Sequence, residues 1–142
     1  MKIETINTLV GILSGIRINR IADKAVKAGL LKDYLALRKV AKEAEAEKDD
    51  IVSKFQSDWA DELSDVDAMR KDGKPVVGHD AYLDAERDAL DAIGEIYARE
   101  AVVDLVKVSP KPLFDPDVWA DDITLGQIPG SIDFMTANGV TE

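Results

Sequence analysis

The sequence predicts a mainly α-helical fold: a long antiparallel helical hairpin with a short N-terminal helix, a short valine-rich strand and an irregular C-terminal docking segment. Three observations predict it. An apolar stripe runs through Ile21, Ala25, Ala28, Leu31, Leu35, Ala41, Ala44, Ile51, Phe55 and Trp59. Its steps are mostly three, four or seven, the period of one helix face. Proline is absent until Pro75, so nothing covalent obliges that helix to stop early. A second stripe, Leu83, Glu86, Leu90, Ile93 and Tyr97, supplies a partner. At 142 residues the chain reads as a single helical domain, 1–142.

The elements follow in order. Ile6, Leu9, Val10, Leu13 and Ile16 recur at helical spacing from Ile3, and Gly15 closes that first helix. The long helix is expected over about 19–59, with Asn19 as its N-cap. At ~1.5 Å per residue it would be roughly 60 Å long and would need partners along its length. Gly29 is its weak point, costing about 1 kcal/mol against alanine. The stripe keeps phase across it, which favours one continuous helix. The segment 61–78 loses the pattern: it is polar, acidic and punctuated by Asp72-Gly73 and Pro75, and reads as a mobile loop. A second helix is expected over about 80–100. The run Val102, Val103, Leu105, Val106 and Val108 suggests a strand. The extended tail, 101–142, carries Ile132, Phe134 and Met135 as docking residues, and Asn138-Gly139 as a helix stop.

Charge narrows the partners. The formal net charge is −10. Nucleic-acid phosphates and anionic membranes attract Lys and Arg, so neither is the expected partner. No stretch reaches the ~20 apolar residues of a membrane span. Cysteine is absent, which removes disulfides and thiolate metal sites and suits a reducing cytoplasm. The opening segment lacks the long apolar run and cleavage site of a signal peptide.

The sequence carries none of the motifs that would mark a reaction. His79 is the only histidine, so a di-iron bundle built on two Glu-x-x-His motifs cannot form. No serine sits in a GxSxG elbow. Asp65-Val66-Asp67 and Asp115-Pro116-Asp117 lack the later positions of a calcium loop. Glycine-rich phosphate loops do not occur. No catalytic residue, cofactor or metal is therefore expected. What remains is an acidic row on the second helix, Asp84, Asp88, Asp91 and Glu95, at steps of four, three and four. Such a row is either a solvated face or a seat for a basic partner. Trp119, in a polar, proline-rich stretch, is a candidate interface anchor, and Trp59 reads as core. Arg38 and Glu86 fall on or beside the stripes and would pair if the loop folds back. A simple antiparallel register instead sets Phe55 or Ile51 against Leu83 or Leu90.

A resemblance is carried by Leu9 to Leu13, Tyr34 to Lys39, Glu43 to Lys54, Tyr82 to Glu86 and Val102 to Val108. In that order of elements the chain is similar to a family of small phage and prophage proteins of unknown function, and it departs at Pro129-Gly130. The resemblance implies a setting in phage morphogenesis or host takeover, in the host cytoplasm or the virion. Two functions fit. The first is a non-enzymatic assembly or protein-interaction module that binds a protein partner or itself. The second is an acidic inhibitor or DNA mimic that blocks a basic host protein.

Overall fold

The computed structural model describes all residues, Met1 to Glu142. It is mainly helical, with α1 at Ile3–Ser14, α2 at Lys24–Asp58, α3 at Ala60–Lys71, α4 at Asp80–Ala98 and α5 at Gln127–Ala137. Short 3-10 turns lie at Ile18–Arg20, Lys111–Phe114 and Pro116–Val118. No helix is long and apolar enough to cross a membrane. The chain divides into two compact units: Met1–Lys42 with Glu100–Glu142, and Glu43–Arg99. Helix α2 contributes to both.

In the first unit, α1 buries Ile3, Ile6, Leu9 and Leu13, the expected stripe. Helix α2 starts later than predicted, because Asp23 rather than Asn19 caps it. The Asp23 Oδ1 accepts from the N–H groups of Ala25 and Val26 at 2.9 and 3.2 Å, satisfying donors that have no partner within the helix. The helix is continuous through Gly29, and Gly29 has a reason to be there. A Cβ at this position would overlap Cγ1 of Val108. The close approach of the Val106–Val108 segment needs the missing side chain.

The N-terminal half of the predicted stripe is out of phase. The buried face of α2 is Val26, Leu30, Asp33 and Leu37, whereas Ala25 and Ala28 are exposed and Leu31 and Leu35 are 44% and 53% exposed. The true face contains a glycine and an aspartate, so its apolar signal is weaker than that of the solvent side. Asp33 is tolerated there because Val106 donates its N–H to Oδ1 at 2.7 Å, which offsets part of the cost of burying a carboxyl.

The valine-rich piece is not a strand. Residues 101–107 carry no strand assignment, and only isolated bridges flank them, Lys2 with Glu100 and Val108 with Thr141. Exposure alternates as in a strand, with Val102, Asp104 and Val106 outward. The segment has a helix beside it, however, not a strand with which to form a ladder. The tail is more regular than expected. Pro129 sits in the first turn of α5, where its missing N–H is no loss, and Ile128, Ile132 and Met135 are buried. Gly139, at φ +80°, ends α5: its N–H reaches Thr136 O, and Val140 N–H reaches Met135 O at 2.9 Å.

The second unit is built from the C-terminal part of α2 with α3 and α4. Phe55 lies against Tyr82, ring centroids 5.3 Å apart, and Glu47 meets Arg99 at 2.6 Å. The end of α2 therefore meets the start of α4, and the two run in opposite directions. The predicted mobile loop between them is largely α3. It buries Val66 fully, and half-buries Leu63 and Met69, at a spacing of three. Asp61 and Glu62 in its first turn and Arg70 and Lys71 in its last complement the helix dipole. Asp72-Gly73 is the stop of this helix rather than the middle of a loop. Gly73 adopts φ +71°, and Lys74 N–H reaches back to Met69 O at 2.9 Å.

Candidate interaction site

The second unit holds a groove walled by α2, α3 and α4. Phe55 and Val52 come from α2, Leu63 and Asp67 from α3, and Leu90 and Ile93 from α4, around a volume of about 210 Å³. Its floor is aromatic. Tyr82 is 1% exposed, packed under Phe55 and edge-on to Trp59 at 6.0 Å. Leu90, placed on the predicted core stripe, stands at the mouth with 61% exposure. Phe55 is half-buried, since one side of its ring faces the groove.

One wall is polar and preset. Arg70 holds Glu86 through two parallel hydrogen bonds of 2.9 and 2.8 Å. The Arg70 guanidinium keeps the Glu86 carboxyl below the usual glutamate range, with burial opposing it. The Tyr82 hydroxyl is pushed above its ordinary range by burial first and by the Glu86 charge second. Glu86 is thus occupied by Arg70, a residue assigned by sequence to the loop, while Arg38 lies near the Tyr34 ring, 5.9 Å from its centroid. Asp67 has no ion-pair partner.

The predicted surface residues divide. Asp84, Asp88, Asp91 and Glu95 are all exposed on α4, with Asp84 held by Arg87 at 2.9 Å. Asp88 borders a second hollow, about 270 Å³, that shares Phe55 and Ala89 with the first. Trp119 does not belong to a surface. It is 2% exposed in the first unit, and its Nε1–H donates to Leu113 O at 2.6 Å. A proline-rich segment gives no periodicity from which that burial could be read. His79 is half-buried with Nδ1 3.1 Å from Glu62 Oε2. Sequence reasoning missed Arg70 and Tyr82. The spacing of Tyr82 and Glu86 at i, i+4 was the available signal.

Charge is segregated between the units. Glu43–Arg99 holds seventeen Asp and Glu against seven Lys and Arg, whereas the rest of the chain has eleven of each. The whole net charge of −10 therefore sits on the unit that carries the groove. Comparison of the chain with protein-family models, with curated proteins and with solved structures finds no match.

Proposed function

We propose that the protein is a non-enzymatic interaction module, phage-derived as its resemblance implies, and that Glu43–Arg99 is the part that binds a basic protein partner. The segregation of charge carries this reading. A unit with an excess of ten negative charges draws cationic surfaces toward it and accelerates their encounter. The neutral remainder has no such bias. An inhibitor that covers a basic host surface and an assembly factor that docks a basic structural protein both use this attraction.

The test presents the immobilised full chain with purified basic and acidic proteins at low and high salt. The same set is run on a variant with Asp84→Lys, Asp88→Lys and Asp91→Lys. Retention of basic proteins that fades with salt and with the variant supports the proposal. Retention indifferent to the partner's charge would sink it.

A second reading is self-association through the first unit. Leu31 and Leu35 stand 44% and 53% exposed on one side of α2, and Val102 is 96% exposed. Light scattering checks it. A dimer lost on Leu35→Ser supports self-association, and a monomer at high concentration excludes it.

A further inference from the structure

We propose that the groove between α2, α3 and α4 seats a large apolar side chain of a short, basic amphipathic helix, whose Lys and Arg fall on the surrounding carboxylates. This rests on the reading that Glu43–Arg99 binds a basic partner, and it names the contact. Size separates the possible occupants. Pockets for drug-sized ligands run to ~300–1,000 Å³, and this groove is about 210 Å³. It suits a single anchoring side chain rather than a small molecule, the arrangement found at the centre of interaction hot spots.

The walls match such an anchor. Phe55, Leu63, Leu90 and Ile93 are apolar, and Leu90 remains mostly in water at the mouth. The groove is bounded by helices, so a helix laid in it packs ridge into groove and presents anchors one turn apart. The adjoining hollow shares Phe55 and Ala89 with it. Charge selects a basic helix over an acidic one. Asp67 borders the groove, Asp58 and Asp88 outnumber Lys54 around the adjoining hollow, and the unit carries seventeen Asp and Glu against seven Lys and Arg. Glu86 and Arg70 saturate each other and form a fixed side of the groove that needs no partner charge.

The probe is a fluorescein-labelled synthetic helix with Lys-rich flanks and one Leu anchor, titrated by anisotropy against the full chain. Controls replace the anchor with Ala or the Lys residues with Glu. Binding that weakens about tenfold or more with the Ala anchor, and similarly with the protein variant Leu90→Ser, supports the proposal. Leu90 is exposed enough for that variant to fold, and Ala89→Met, which fills the groove, should act alike. Binding of the Lys-rich helix that ignores the anchor and both variants overturns the groove while leaving the acidic unit as the binding part. No binding of any Lys-rich helix overturns both. Equal binding of the Glu-rich control overturns the selection for charge. A dimer in light scattering that Leu90→Ser dissolves would give the groove to a second copy and overturn the basic helix.

Discussion

Val106 donates its backbone N–H to one oxygen of the buried Asp33 carboxyl at 2.7 Å, and the other oxygen, Oδ2, has no hydrogen-bond partner. One donor does not replace the hydration of a carboxylate. Burial accordingly pushes the Asp33 carboxyl above its ordinary value of 3.8, against the Val106 hydrogen bond and the Lys32 charge, which both lower it. The folded chain holds this proton more tightly than the unfolded chain does. Stability from this group is therefore fully present below pH 3.8 and is lost as pH rises through the raised folded value.

Asp33→Asn removes the charge and keeps an oxygen for Val106. The variant should melt above the parent at neutral pH and close to it near the unfolded value, where the parent carboxyl is also neutral. Thermal melts across the acid range measure this. An equal shift at every pH would show that Asp33 does not titrate in that range.

Gly29→Ala would ordinarily stabilise a helix by about 1 kcal/mol. Here the new methyl meets Val108 Cγ1. Val108 is held by its N–H to Val140 O and by Glu142 N–H to its own carbonyl, both at 3.1 Å. Overpacking of this kind costs typically ~1–3 kcal/mol, so the variant should be net destabilised. Adding Val108→Ala should recover part of the loss, and a double-mutant cycle reads that coupling. Additivity would place the two residues apart.

Phe55→Ala tests the aromatic floor. Full burial would imply ~3–5 kcal/mol. Phe55 is half-buried but its ring lies tilted against Tyr82, so a loss of about 1–3 kcal/mol by denaturant melts is expected. A change near zero would mean that the ring does not cover Tyr82.

Hydrogen exchange distinguishes α3 from the loop that the sequence suggested. Amides of Ser64 to Lys71 should be protected, and those of Val76 to Gly78, which follow the helix stop, should exchange fast. Uniformly fast exchange from Ser64 to Gly78 would restore the loop.

The parts of the fold that were legible are those where pattern and packing agree. The first helix showed its face because Ile3, Ile6, Leu9 and Leu13 are all apolar and all buried. The long helix showed its length because no proline interrupts it. Its phase was misread where Gly29 and Asp33 occupy the buried side. Each is explained only by Val106 and Val108, more than seventy residues away in sequence, and no local pattern contains that. Helix α3 was misread because a single fully buried residue, Val66, anchors it. Its dipole-matched ends and its Asp72-Gly73 stop were present but carry less signal than a stripe. The acidic row of the candidate site was legible as spacing. The groove beside it was not, since it takes residues from three helices whose packing sequence alone does not fix.

The measurement that bears most directly on the binding unit is an NMR titration of the full chain with the Lys-rich, Leu-anchored helix. Shift changes should gather on Phe55, Leu63, Asp67, Leu90 and Ile93, and should shrink as salt screens the charges. Changes centred on Met1–Lys42 or Glu100–Glu142, or spread evenly over the exposed carboxylates of Glu43–Arg99, would contradict the account.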